Sequence, residues 1–507
     1  KGKWWHEMTC GKCWVTCMRR CRSHILVLVF ASLMGPATMA RDANHLLQEA
    51  NALGMDREEL KISLLKEALL LDPSNVEAAK SLSFTRISQL FRIRSADDPQ
   101  HPILTEAEAA LDDVSKRTRM SQNTRNMICN MLINYGHNLE GRDRPLMALQ
   151  LYLLAARIDP AHENTMGSLY KVREWLCVWE GREEEFSRLM NVVQRQLQQG
   201  GAAQTSLQPL TAVSQDVDPL TQLSIAKAWS LLYSSGVHRE NPFLGAMKPP
   251  SAKKALSVGY ISGDLRGHAV SHQMLMVFRQ HMVNKRIRVV VLNTFAGNVG
   301  VHGQEIKSYV NKWVDVNPMR DEQLAATITN TLKIHILVDL SGHTGGTRLS
   351  ALSLRPTPVI ISFLGYGSTT GASFVDYFLS DHKASPPEMS YAHSETFAYL
   401  PVTYYPFNTR QAIDSTPSYE DVGIARGQTS FIFACFNRNL KIKPDVFEVW
   451  MKVLKAVPRS VLWLRRFHIR VQENLLRHAE RLGVSNASII FAGRIPDRSK
   501  HLARHRL

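Results

Sequence analysis

Leu332–Tyr377 reads LKIHILVDLSGHTGGTRLSALSLRPTPVIISFLGYGSTTGASFVDY, and this stretch decides the fold. Ile334–Leu340 and Val359–Leu364 are short apolar runs rich in Ile and Val, the pattern of strands buried on both faces of an α/β sheet. A short helix is expected between them. Each run ends in small and polar residues: Ser341, Gly342, His343, Thr344, Gly345 and Gly346 after the first, then Gly365 to Gly371 after the second. In open α/β sheets ligands bind at the carboxyl ends of strands, where helix N-termini and loop amides converge. The stretch is therefore expected to hold a binding site.

The same pattern extends both ways. Upstream, Ser257–Ser262 reads as a strand followed by the loop Asp264–His272. Downstream, a second α/β unit is expected: strand Ser430–Cys435, helix Asp445–Val457, strand Ser460–Leu464, helix Val471–Leu482 and strand Ala487–Ala492. Residues 253–415 thus form one α/β domain and 428–507 the start of another, the latter expected to be incomplete at Leu507. From Arg41 to about Gly200 helical periodicity recurs without strands, and 201–252 reads as a helical linker. Lys66–Ala78 (KEALLLDPSNVEA) and Ala148–Asn164 (ALQLYLLAARIDPAHEN) share an apolar helix face followed by Asp-Pro, the layout of tetratricopeptide repeats. The Pro is expected to start the next helix and the Asp to cap it. Met131–Gly141 supplies the partner helix of the second repeat. The two Asp-Pro pairs do not sit a whole number of repeats (about 34 residues each) apart, and RSADDPQHPI at 94–103 is the expected interruption. Such repeats stack into a surface that holds extended peptides, so protein or peptide acceptors are the expected partners of this arm.

Composition excludes more than it assigns. Hydrophobic content of 44% and charged content of 21% are those of a globular chain. The formal charge of +16 is concentrated toward the two ends, and no aromatic-interleaved basic stripe suggests a nucleic-acid platform. Cys10, Cys13, Cys17 and Cys21 lack a second pair at zinc-ligand spacing, and Cys129, Cys177 and Cys435 are scattered, so neither a zinc site nor a disulfide framework is expected. From Met18, a charged start, an apolar core and PATMA resemble a secretory signal peptide, with a spurious upstream segment as the competing account of 1–40. That apolar core is short of the roughly 20 residues of a spanning helix, so no stable membrane span is expected. Asp216 and Asp218 spell D-x-D, but they precede Pro219 and a helical run and read as a helix cap.

GHTGGTRL, LRPTPV, LGYGSTTG and VDY, with GYISGDLRGHAVSH at 259–272, FNRNLKIKP at 436–444 and SVLWLR at 460–465, resemble the protein O-linked N-acetylglucosamine transferases of glycosyltransferase family 41. That family also holds the SPINDLY-type O-fucosyltransferases. The resemblance covers the chain from about Leu256 to its end. It implies an α + α/β chain: tetratricopeptide-like helical repeats, then a two-domain, GT-B-type, Rossmann-like glycosyltransferase. The implied reaction is inverting, metal-independent and without cofactor. It carries N-acetylglucosamine from UDP-N-acetylglucosamine to protein serine and threonine hydroxyls. GDP-fucose is the alternative donor, and a catalytically dead repeat scaffold, given the incomplete second domain, is the other alternative. The family is mainly nuclear and cytosolic.

Such a transfer needs a stabilised diphosphate, an oriented sugar and an acceptor for the hydroxyl proton. Lys441, in a loop between a strand and a helix N-terminus, matches the family lysine that contacts the donor phosphates, and Arg438 adds a second charge nearby. His268 matches the family histidine facing acceptor and sugar, and histidine is the side chain type suited to moving a proton near neutral pH. His343 is placed for acceptor or sugar contact. Leu364, Gly365 and Tyr366 match the LGY whose backbone lines the sugar pocket. Gly367, Ser368 and Thr369 depart from the animal Pro-Gly-Thr, and Gly367 is expected to loosen the loop. His272 is expected to be structural, and His335 to be a core histidine.

Overall fold

A computed structural model describes residues 42–54, 57–90, 97–200, 204–235, 255–406, 413–424 and 429–507. The signal-like segment at 1–40 lies outside them, as does the end of the linker beyond Ser235. Apolar residues at helical spacing fold the first part into helices Ala43–Ala52, Glu58–Leu71, Val76–Leu90 and Pro102–Arg117. Leu46, Ile62, Leu65 and Leu82 meet in their shared core. The described residues up to Gln122 make one compact unit and those from Asn123 a second, so the boundary falls inside the segment read as repeats. The second unit opens with helices Gln122–Glu140, Pro145–Ile158, Glu163–Trp175 and Arg182–Gln199. Among the described residues no helix is long and apolar enough to cross a membrane.

The Asp-Pro pairs punctuate these helices differently from the sequence expectation. Asp72 and Asp159 follow the last residue of one helix, and their carboxylates accept the amides of Ser74 and Ala161 at 3.0 and 3.1 Å. Pro73 and Pro160 therefore lie in the turn, and the next helices start at Val76 and Glu163. The competing device is the Asx turn, which uses the Asp side chain two residues forward instead of at a helix start. Gly136 is required where the sequence placed the partner helix, because a Cβ there would stand 2.2 Å from the Tyr152 ring. Of the expected interruption, the described residues 97–101 are non-helical and a helix begins at Pro102.

Seven strands follow in one parallel sheet, ordered β3-β2-β1-β4-β5-β6-β7. They are β1 (Leu256–Ser262), β2 (Ile287–Asn293), β3 (Lys312–Asp315), β4 (Ile336–Asp339), β5 (Val359–Phe363), β6 (Tyr377–Ser380) and β7 (Thr396–Tyr399). The Val-rich runs are covered on both faces. Val289 and Val291 pack into one cluster with Val270, Met274 and Phe278 of helix Ala269–Val283. Val290 and Leu292 pack into another with Leu324, Ile328 and Leu352. A second parallel sheet, ordered β10-β9-β8, comprises β8 (Phe431–Cys435), β9 (Ser460–Arg465) and β10 (Ile489–Ala492). Helices Pro444–Ala456 and Ile469–Arg481 complete its crossovers. The strand order reverses between β1 and β4, and a crevice opens at such a switch point, outside the carboxyl ends of the strands.

Candidate active site

His268 stands at that switch point. After β1 the loop is tied down by Ser262 Oγ, which accepts the Asp264 amide at 3.0 Å, and by Ser271 Oγ, which donates to the Asp264 carbonyl at 2.8 Å. His268 is the N-cap of helix Ala269–Val283, in extended backbone, with Nδ1 accepting the Val270 amide at 3.4 Å. Asp264 Oδ2 lies 3.7 Å from the same nitrogen. With Nδ1 turned to the Val270 amide and to Asp264, the ring leaves Nε2 as the nitrogen free to meet a substrate.

The loop after β4 is built on Asp339, which is fully buried. Its two oxygens accept the Ser341 and Gly342 amides at 2.9 Å each. Burial pushes this carboxyl up to about 6 against the opposing pull of those amides. His343 follows, and its Nε2–H donates to the Thr370 carbonyl at 2.7 Å. Its ring is edge-on to Tyr366 at 5.3 Å and near Tyr233 at 6.0 Å, and burial holds it below the ordinary histidine value. His343 thus braces the glycine loop, with one ring nitrogen committed.

Leu364, Gly365 and Tyr366 are brought against this same loop. Leu364 adopts φ +65°, rare for a branched side chain. A Cβ on Gly365 would fall 1.7 Å from the Leu340 carbonyl oxygen. Tyr366 turns its ring inward and is only 2% exposed. Below them the buried Glu395 carboxylate accepts from Thr369 Oγ1 at 2.6 Å, from the Thr370 amide at 2.7 Å and from Thr370 Oγ1.

In the second half, β8 ends at Cys435 and a 3₁₀ turn, Asn439–Lys441, precedes helix Pro444–Ala456. Arg438 and Lys441 are exposed, with Lys441 Nζ 3.5 Å from Asn437 Oδ1. Phe436, at the start of this loop, carries the Arg504 guanidinium 3.8 Å from its ring centroid and packs against His501 and His505 at 5.8 and 5.0 Å.

Between the halves lies a cleft of about 380 Å³. His272 and Gln273 line it from the first half, Arg498, His501 and Leu502 from the second, and Tyr405 from the connection. No carboxylate lines it. His272 is pushed down to about 4 by burial and by Arg498, His302 and His268, and His501 to about 4 by burial and by Arg504, His505 and Arg498. Arg498 is thus the fixed cation of the lining, the two histidines gain charge only as pH falls, and with no carboxylate beside them the setting favours an anion. His272, expected to be structural, packs edge-on against His302 at 4.3 Å and also lines this cleft, two residues along the helix from the core-facing Val270 and Met274. Arg498 and His501 were missed. The available signal was the interleaved HLARH at 501–505, read only as terminal charge. A larger cavity of about 540 Å³ runs along the ends of β2, β3 and β4, but its Arg348 is already committed to Asp321 and to the Val316 and Met319 carbonyls. His335, expected in the core, is only partly buried, and its Nδ1 accepts the Ser257 amide at 3.0 Å. Asp218 caps a helix through the Thr221 amide at 2.9 Å, and among the described residues no cluster of three or more His, Cys, Asp or Glu is arranged for a metal ion.

Two Rossmann-like halves facing a carboxylate-free cleft, with helical pairs ahead of them, define a two-domain glycosyltransferase architecture. Residues 176–416 and 423–507 match the family model of Glycosyl transferase family 41, and the chain belongs to that family. It is similar to the probable UDP-N-acetylglucosamine–peptide N-acetylglucosaminyltransferase SEC of Arabidopsis thaliana, 31% identical over 341 residues, covering 65% of this chain and 34% of that protein. It is also similar to the probable enzyme of the same description named SPINDLY in Oryza sativa subsp. japonica, 32% identical over 220 residues, 42% of this chain and 23% of that one. The chain thus spans about a third or less of these relatives' length. A mutant of the Thermobaculum terrenum O-GlcNAc transferase shares the fold, with a TM-score of 0.56 at 21% identity over 93% of this chain and 77% of that one.

Proposed function

We propose that the chain transfers N-acetylglucosamine from UDP-N-acetylglucosamine to serine and threonine hydroxyls of proteins, with inversion and without a metal. The observation that carries this reading is the cleft itself. A carboxylate-free lining that includes Arg498 joins the helix start at the switch point of the first sheet to the segment after β10 in the second half, where a nucleoside diphosphate would span both. In this reading Lys441, with Arg438 beside it, meets the charge that develops on the leaving diphosphate, the role a metal plays elsewhere. His268, oriented by the Val270 amide with Asp264 beside it, takes or directs the hydroxyl proton. The backbone of Leu364–Tyr366, fixed from behind by His343 and Glu395, shapes the sugar side. The helical pairs present the acceptor protein.

Calorimetric titration with UDP and with GDP, followed by transfer from labelled donors to a serine-containing peptide in EDTA, tests the reading. UDP should compete and UDP-N-acetylglucosamine should donate. Tighter GDP binding with fucose transfer would move the donor to GDP-fucose, and binding of neither would leave a repeat scaffold. His268→Ala and Lys441→Ala should each lower turnover by about a hundredfold or more. Near-parental turnover in either variant removes that residue's role.

A further inference from the structure

The turn that carries Lys441 is held from outside its own domain. Helix Glu163–Trp175 ends against the second α/β half, and the last carbonyls of any helix lack intrahelical donors. Here the last of them, and the two carbonyls that follow the helix, are taken in succession by side chains of that half. The Trp175 carbonyl accepts from Asn439 Nδ2, the Leu176 carbonyl from Asn474 Nδ2 at 2.8 Å, and the Cys177 carbonyl from His478 Nε2 at 3.2 Å. The chain reverses at Cys177, with φ +54°, and Trp179 then stacks on His478 at 4.6 Å and packs on Phe447 at 5.6 Å. Glu174, 5% exposed, binds Lys443 Nζ at 2.7 Å and Arg182 Nε at 3.0 Å.

Two of these tethers flank one residue. Asn439 and Lys443 lie two positions before and after Lys441, and both end on Glu174–Trp175. The turn between them is held otherwise by the buried Ile442 side chain and by two backbone bonds, the Lys441 amide to the Arg438 carbonyl at 3.0 Å and the Ile442 amide to the Asn439 carbonyl at 2.8 Å. Asn439 is buried while Lys441 is exposed. A side-chain amide donating to a carbonyl at the negative end of a helix is a directional anchor for so short a turn.

We propose that Asn439 is a positioning residue for the donor site: through the Trp175 carbonyl it sets where the Lys441 ammonium stands, so the end of the helical region fixes the geometry of the phosphate contact. The inference rests on Lys441 being the donor-phosphate lysine proposed above. Asn474, tethered one carbonyl further on but from helix Ile469–Arg481, is the matched control, since it shares the docking surface and not the turn.

The full chain, carrying Asn439→Ala (or Asn439→Ser, which keeps a smaller polar group, if the alanine variant folds poorly), Asn474→Ala, Lys441→Ala or both Asn439→Ala and Lys441→Ala, is read in two ways. Hydrogen exchange reports the Lys441 and Ile442 amides, and calorimetry reports UDP affinity, with GDP titrated in parallel. Asn439→Ala should speed exchange of those two amides and weaken UDP binding about tenfold. Asn474→Ala should lower thermal stability while leaving both readouts unchanged. Asn439→Ala should add less than about twofold on the Lys441→Ala background, as expected of a residue acting through another. Unchanged exchange in Asn439→Ala, an equal loss of affinity in Asn474→Ala, or full additivity would overturn the inference alone. Unchanged UDP affinity in Lys441→Ala would instead overturn the role of Lys441, and this inference with it.

Discussion

The two halves of the candidate site hold their working loops by opposite means. In the first, the loops after β4 and β5 are locked from beneath by buried carboxylates, Asp339 and Glu395, and by backbone packed too tightly for a Cβ at Gly365. In the second, the turn bearing Arg438 and Lys441 is exposed and is held sideways, by the end of a helix that precedes both sheets. A buried network makes a loop rigid on its own. A tethered turn is only as well placed as the partner it is tied to. The first half should therefore fail by unfolding, and the second by losing function while staying folded.

The largest effect expected from this contrast is at Gly365. An added Cβ meets the Leu340 carbonyl oxygen at 1.7 Å and its carbon at 2.7 Å, both backbone atoms of the neighbouring strand end. No side-chain rotation relieves that clash, so Gly365→Ala should destabilise the fold by about 3–5 kcal/mol. Chemical denaturation would show it as a lower midpoint. A variant with parental stability would mean that the loop is far more yielding than the contacts of Glu395 and His343 imply.

That distinction could not be read from the sequence, although the frame could. The strands were legible because Val and Ile runs buried on both faces leave a continuous apolar signal, and β4, β5, β8 and β9 begin and end within a few residues of the runs that announced them. The places of His268 and Lys441 were legible because each sits between a strand and a helix start. The Asp-Pro turns were misplaced because an Asx turn and a helix N-cap use the same residue types at nearly the same spacing. His272 and His501 were not legible as cleft residues, since 229 positions of chain separate them and only the docking of the halves brings them together. Asn439 looked like any polar loop residue, because its partner is the Trp175 carbonyl, a backbone atom with no sequence signature.

A smaller effect should separate the halves by pH. His272 and His501 sit at about 4 in the folded protein against an ordinary value near 6.5. The folded state therefore binds fewer protons than the unfolded chain below that ordinary value. Their contribution to stability is complete above about pH 6.5 and is lost as pH falls through 4. Asp339 runs the other way. Raised to about 6, it contributes below its ordinary carboxylate value and loses that contribution as pH rises through 6. Comparing the parent with a His272→Gln, His501→Gln variant isolates the cleft, and the parent should lose more stability than the variant between pH 7 and 4.5. An anion in the cleft favours the protonated rings, so the rise in melting temperature produced by UDP should be larger at pH 5.5 than at pH 7.5 in the parent, with that difference reduced in the variant. Equal pH slopes in the two proteins would show that neither histidine is desolvated by the docking of the halves.

The smallest effect is expected two residues beyond the largest. Nothing lies within 4 Å of a Cβ on Gly367, and its backbone is not left-handed, so an alanine fits without strain. Removing a glycine also narrows the unfolded ensemble, so Gly367→Ala should change stability by no more than about 0.5–1 kcal/mol, with stabilisation the favoured sign. The sequence suggests that this glycine loosens the sugar-side loop. The structure limits how far such loosening can spread, because the loop is clamped by Gly365 on one side and by Thr369, Thr370 and Glu395 on the other. UDP affinity in Gly367→Ala should therefore stay within about twofold of the parent. A larger gain in affinity, with stability unchanged, would show that the first half too depends on how freely one exposed residue moves, and the contrast between the halves would narrow to the buried carboxylates alone.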